Sequence, residues 1–321
     1  MPVCLHSCSR RGFIKTVATA TLGWVTVKTD NGGTGSIDPN YFVLMADTHI
    51  DVAPGNIRHG QNMYENLQRS IHRIRSRSPF PCGVIINGDC SFNIGEHASY
   101  VLLKELVQPL VEEGIGVYMS MGNHDHRANF YRAFEDAGEF VASMPDKQFV
   151  EGRHILIIDS GYAYMFVLDS LIHAEDVYTL KGAFGHEQLD WLDEALARHK
   201  DKPVHVFAHH YPNNAGLLSD SYGNGINDQD AFFNVLSNHA QVQSYIFGHS
   251  HLWEHGHSHN NMFDLVGQPA TGYIFRDEQP LGYLHARLGP GQMDLKLEAL
   301  DTNHPWHGQQ YAISMNREGA P

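Results

Sequence analysis

Tyr41-Phe42-Val43-Leu44-Met45-Ala46-Asp47-Thr48-His49 is the stretch whose reading decides the fold. Six apolar residues in a row read as a buried strand. The run then stops in an acid, a hydroxyl and an imidazole. Four later apolar runs end the same way. Gly83–Asn87 leads into Gly88-Asp89, and Val117–Met121 into Gly122-Asn123-His124-Asp125. Val204–Ala208 leads into His209-His210, and Ser244–Phe247 into Gly248-His249-Ser250-His251.

Amphipathic stretches lie between these runs. Helical spacing covers 64–76, with Leu67, Ile71 and Ile74 on one face, and 96–113, where Pro109 is expected to kink or end the helix. Helices are also expected over 128–134, 187–199 and 229–238, and a hairpin over 154–159 and 164–169 around Ser160-Gly161. Beyond His251 the pattern is strand only: 263–266, 272–275, 281–288 and 293–300. No periodicity marks 301–321, a C-terminal tail. Alternation of strand and helix followed by strands predicts one layered α/β domain over 37–300, with a mixed sheet or sheet sandwich.

Sites in open α/β sheets form outside the carboxyl ends of the strands, so five strand ends would bring their polar residues to one rim. Asp47 and His49 stand two apart and, on extended backbone, would point the same way. His249 and His251 repeat that spacing. Glycines at 88, 122 and 248 allow sharp turns and close approach. Asp47, His49, Asp89, Asn123, His209, His249 and His251 are more donors than one tetrahedral metal needs. Two divalent ions bridged by a carboxylate would use them all, with Asp89 as the bridge. They would keep about two positive charges to hold a phosphate and to lower the pKa of a bridging water.

Composition narrows the partners. The 321 residues carry a formal charge of −14, which opposes binding to nucleic acid or anionic membranes, and 42% hydrophobic content is enough for a real core. No apolar run is long enough for a transmembrane segment. Residues 1–36 read as a targeting segment and linker. Ser9-Arg10-Arg11-Gly12-Phe13-Ile14-Lys15 resembles the twin-arginine export signal of bacteria, and a weakly apolar run follows over 16–27. The expected partner is therefore the twin-arginine export machinery, and the expected location periplasmic or extracellular. Of four cysteines only Cys82 and Cys90 fall in the folded part. A bridge between them is one reading; export of an already folded chain favours free thiols.

The motifs D-x-H at Asp47, G-D at Asp89, G-N-H-D at 122–125, a downstream His209 and G-H-x-H at 248–251 resemble, in this order, the calcineurin-like metallophosphoesterase family. The resemblance implies an α/β/β/α sandwich with mixed sheets and a binuclear-metal hydrolase of small phosphate esters, a phosphodiesterase first, which the twin-arginine segment would export. Attack would come from a metal-bridging hydroxide on phosphorus. It places Asp47, His49 and His251 on one metal, Asn123, His209 and His249 on the other, and Asp89 between them. His124 would be the catalytic histidine, acting as a general acid or stabilising the transition state. Asp125 would orient it or cap the next helix. Manganese, iron or zinc suit such donors.

Within the family the chain resembles the bacterial cyclic-nucleotide phosphodiesterases most. Arg127 after the motif favours them and is a candidate phosphate contact. Phe92, three residues after Asp89, stands where purple acid phosphatases carry a metal-binding tyrosine and where the cyclic-nucleotide enzymes often carry Asp. A colourless enzyme is expected. His210 and His126 are further candidates beside the site. His255, His257 and His259 read as a solvated loop, and Asn213-Asn214 as a turn. A phosphomonoesterase and a non-catalytic scaffold remain the alternative functions.

Overall fold

Alternate side chains of β3 (Ile37–Met45) enter two different cores. Tyr41, Val43 and Met45 join one, and Phe42 and Leu44 the other. This is the period-two alternation of a strand covered on both faces. The computed structural model describes residues 35–135, 150–172, 179–259 and 261–315, with the backbone of β1 (Cys4–Leu5) and β2 (Val25–Thr26). The proposed export signal otherwise lies outside the described residues.

On one face of β3 pack α1 (Met63–Arg75), α2 (His97–Glu112) and α3 (Arg127–Ala133). They bury Leu67, Ile71, Leu103, Val107 and Phe130 against Val43 and Val84. The expected faces are thus the packed ones. Pro109 does not end α2, which runs on to Glu112. It sits in the last turn, and the helix continues past it for three residues without the Pro109 N–H bond to the preceding turn.

The first sheet has the order β1-β5-β4-β3-β12-β13-β14. Here β4 is Phe80–Ile86, β5 Gly116–Met119, β12 Gly282–Leu288, β13 Gln292–Ala299 and β14 Gln310–Ser314. β3, β4 and β5 run parallel, and β12 to β14 antiparallel. The second sheet has the order β10-β11-β9-β8-β7-β6-β2. Its members are β6 (Leu156–Asp159), β7 (Tyr164–Val167), β8 (Val204–Phe207), β9 (Val242–Phe247), β10 (Glu254–His257) and β11 (Asp264–Gly267). The expected hairpin is present as antiparallel β6 and β7. Its outer face takes α4 (His186–Arg198) and α5 (Gln229–Ser237) through Leu189, Leu192, Leu196, Phe232 and Leu236. Between the sheets lie Phe42, Leu44, Ile85, Met165, Phe207, Ile246 and Leu284. Helices, sheet, sheet and helices form the expected α/β/β/α sandwich. Among the described residues no helix is long and apolar enough to cross a membrane.

Three expectations fail on local detail. Gly272–Phe275 is not a strand; it is a loop, and its rings turn to the site described below. His255 and His257 belong to β10, where they alternate outward, rather than to a loop. The tail is not featureless: β14 pairs along β13 from Gln310 to Ser314 and buries Ile313.

Candidate metal centre

Asn87, the residue after β4, ties the strand ends together. Its Nδ2 donates to the carbonyls of Ala208 and Ile246, both at 3.1 Å, and to Gln268 Oε1 at 2.8 Å. Its Oδ1 accepts from Ser120 Oγ at 2.9 Å. One buried amide thereby links the ends of β4 and β5 to those of β8 and β9 across the two sheets. Sequence reading took Asn87 as a strand end only; nothing local marks its partners.

The residues that follow these ends leave extended backbone. Asp47, His49, Asp89, His249 and His251 have φ of 54°, 47°, 47°, 65° and 56°. Left-handed backbone costs non-glycine residues energy, and it gathers where a site requires it. The extended-chain reason given for Asp47 and His49 therefore fails, although both do converge. The same backbone separates His249 from His251. Donor atoms of Asp47, His49 and His251 lie within 4.8 Å of one another, and so do those of Asp89, His209 and His249. Asp89 also groups with His49 and His124, so its carboxylate stands between the two sets. Asn123, buried, immediately precedes His124, whose N–H donates to Asp89 Oδ1 at 2.8 Å.

Glycines make room for this convergence. A Cβ on Gly122 would sit 2.2 Å from Asp89 Oδ1, and one on Gly248 would sit 2.6 Å from Asp47 Oδ2. At Gly88, with φ +76°, it would strike the His209 ring at 2.5 Å. The glycines act on the donors themselves.

The donor set fits cations. His251 Nδ1 donates to the Tyr273 carbonyl at 2.7 Å, so a neutral ring presents its Nε2 lone pair. Facing that nitrogen, each at 3.2 Å, are Asp47 Oδ1 and His49 Nε2. His209 likewise gives Nδ1–H to Asn87 O at 2.9 Å and turns Nε2 toward Asp89 Oδ2 at 3.1 Å. Lone pairs facing lone pairs repel unless positive charge lies among them. Burial opposes charge on His209, but Asp89 and Asp47 override it and raise the ring to about 9, so the two carboxylates call for positive charge at Nε2, as a proton or as a cation. Burial, with His209 beside it, pushes His249 down to about 3, into the neutral form that binds metal.

His124 is half-buried and gives Nδ1–H to the Asn93 carbonyl at 2.6 Å. Asn93, not Asp125, supplies that bond. Asp125 is buried and accepts from the N–H groups of Gly122 (2.9 Å), Cys90 and Ser91 (3.1 Å each) and from Tyr100 Oη (2.9 Å). It clamps the Asp89 loop to the Asn123 turn and is a positioning residue, neither the expected orienter of His124 nor the helix cap. The cap of α3 is His126, whose Nδ1 accepts from Asn129 N–H at 3.2 Å.

Arg127 is also not where a phosphate contact would be. Its guanidinium is committed to Asp169 and to the Leu171 carbonyl. His210 is wholly buried behind His209 and His249, with Nδ1 on Ser170 Oγ at 2.8 Å, and does not line the cleft. Cys90 is buried. Asn213 closes its own loop by accepting from Gly225 N–H and donating to Ile226 O, as a turn residue would.

Above the donors opens a cleft of about 320 Å³. Asp89, His124, His249 and His251 form one side; Leu180, Tyr211, Tyr222, Asn224, Tyr273 and Phe275 form the rest. Sequence reading missed these aromatic walls. A larger groove of about 540 Å³ between α1 and α2 lies away from every donor.

Residues 41–253 match the family described as calcineurin-like phosphoesterase, and the chain belongs to that family. Its members are binuclear metal enzymes, and this chain is a metal-dependent phosphoester hydrolase. It is 28% identical over 211 residues to a probable glycerophosphodiester phosphodiesterase of Arcobacter nitrofigilis, covering 65% of this chain and 71% of that one. With a 3',5'-cyclic adenosine monophosphate phosphodiesterase of Pseudomonas aeruginosa it shares 24% identity over 267 residues, 82% and 83% of the two chains. Among solved structures, a dimetal phosphatase from Danio rerio shares the fold. The TM-score is 0.65 at 16% identity, over 87% of this chain and 100% of that one.

Proposed function

We propose that the protein hydrolyses a small phosphodiester at a centre of two divalent ions, outside the cytoplasm. One ion would be held by Asp47, His49 and His251, the other by Asn123, His209 and His249, with Asp89 shared. The supporting observation is that Asp89 groups with His209 and His249 on one side and with His49 and His124 on the other, at the floor of the cleft. When bound, the ions supply positive charge for the phosphate and activate water as the nucleophile.

The chain's own groups do the rest. Asn93 fixes His124 through Nδ1, so Nε2 is the nitrogen that carries a proton to the leaving oxygen. Asp125 keeps Asp89 and Asn123 in register through the loops it clamps. Both relatives described above are phosphodiesterases by name, which favours a diester over a monoester. Manganese, iron and zinc all suit the donors. Export rests on Arg10-Arg11 and the run behind them.

Manganese-loaded protein should hydrolyse bis(4-nitrophenyl) phosphate faster than 4-nitrophenyl phosphate. Asp89→Ala should lose bound metal and activity together. His124→Ala should keep its metal, measured by elemental analysis, and lose about 10²–10⁴-fold in kcat. Full activity in Asp89→Ala would sink the two-ion reading. For export, replacing both arginines by lysine should leave the protein in the cytoplasmic fraction.

A further inference from the structure

Large apolar side chains open to solvent occur on the loops that line and flank the cleft. Ile57, Ile94 and Phe275 are 63%, 58% and 52% exposed, and Leu180 is 39% exposed. Ile57 precedes Arg58, whose guanidinium lies 5.1 Å from the Phe92 ring, and His59, whose ring stacks on Tyr273 at 4.6 Å. Ile94 follows Asn93, which holds His124. Phe275 and Leu180 line the cleft itself. Phe275 and Leu180 thus put open apolar surface on the cleft wall, and Ile57 and Ile94 stand on the loops that flank it through Arg58, His59 and Asn93. Apolar surface concentrated in this way marks a binding site.

The aromatic rings here are already engaged with the protein. Phe275 stacks on His251 at 4.4 Å and meets Tyr273 edge-on at 5.4 Å. Tyr222 has the Arg276 guanidinium 5.2 Å from its ring, and its hydroxyl accepts from Arg276 Nε. The Tyr211 hydroxyl accepts from Asn224 N–H. A nucleobase would need partners for its polar edge, and the Tyr211 and Tyr222 hydroxyls are already engaged by Asn224 N–H and Arg276 Nε. An aliphatic group asks only for apolar area.

We propose that one ester group of the substrate is a flexible aliphatic chain. It would run from the phosphate over Phe275 and Leu180 toward Ile57 and Ile94. This deepens the phosphodiesterase reading and rests on it. The formal charge of −14 opposes an anionic lipid surface, so the partner is a single amphiphilic molecule.

The test uses manganese-loaded full-length protein and alkyl 4-nitrophenyl phosphodiesters from methyl to hexyl. Thymidine 5'-(4-nitrophenyl phosphate) is the planar comparison. On an open rim that half-buries each methylene, kcat/KM should rise about twofold per methylene, roughly thirtyfold from methyl to hexyl. In Ile57→Ser/Ile94→Ser/Leu180→Ser the hexyl-to-methyl ratio should fall about tenfold. Each protein is normalised to its own methyl ester, so any general loss cancels. A flat series, an undiminished ratio in the variant, or preference for the thymidine ester over the hexyl ester would each overturn the inference while leaving phosphodiester hydrolysis intact. If no ester turns over, the functional reading fails and takes the inference with it.

Discussion

Arg127 grips Asp169 with two parallel hydrogen bonds, Nε to Oδ2 at 2.7 Å and Nη2 to Oδ1 at 2.8 Å. The acid is wholly buried and the arginine only 17% exposed. Asp169 also accepts from the N–H groups of His154 and Leu171, so the pair fastens α3 to the end of β7. Removing the cation leaves a buried carboxylate unpaired, which costs about 3–5 kcal/mol. Arg127→Ala should therefore melt well below wild type, while KM of the folded fraction stays unchanged. Arg127→Lys should recover only part of the loss, because it lacks the planar fork. A raised KM with unchanged stability would return Arg127 to the substrate.

Asn87 makes four side-chain hydrogen bonds, all buried, and its backbone carbonyl holds His209. Truncation strands partners that lose about 1–3 kcal/mol each when unsatisfied. Asn87→Ala should lose at least about 3 kcal/mol in urea unfolding. Its metal content should fall as well, because the strand ends that carry His209 and His249 are no longer tied. A loss under about 1 kcal/mol would show that the sheets are held elsewhere.

Much of this arrangement was legible in the sequence because chemistry and pattern change together at each strand end. Val43, Ile85, Val206 and Ile246 are apolar because they are covered, and the acids and imidazoles begin where cover stops. Backbone conformation was not legible: left-handed Asp47 and His251 look like any Asp and His. Nor were distant partners, since Asp169 stands 42 residues from Arg127. Tyr273 and Phe275 read as strand because an apolar pair at spacing two does not reveal what it faces. Here the rings pack on His59, His49 and His251 rather than in a sheet. β10 and β14 escaped for the opposite reason, since edge strands with outward His255, His257 and Gln310 lack an apolar run.

Cys82 and Cys90 are free and buried. Burial raises both thiols, and the negative charge of Asp125 adds to the effect at Cys90. The thiolate is the reactive form, so both should resist iodoacetamide in the native protein and react fully in urea. Peptide mapping checks each site separately. Native labelling of Cys90 would mean that the Asp89 loop opens readily.

Glu298 offers a pH test remote from the metal donors. The His285 ring beside it and the Arg77 guanidinium, 2.8 Å away, hold its carboxyl at about 2 against its burial. The folded value lies below the ordinary carboxylate range, so ionisation favours the fold. The contribution is full above about pH 4.5 and disappears as pH falls through 2. Arg77 is 42% exposed, and solvent screening leaves about 1–2 kcal/mol of it. Glu298→Gln should be less stable than wild type by that amount at pH 7, and the gap should shrink below pH 4.5 and close near pH 2. Urea unfolding in the presence of a chelator keeps the metal ligands out of the comparison. A gap that stays constant from pH 7 to pH 2 would mean that the Gln variant fails through packing, and that the charge of Glu298 contributes nothing.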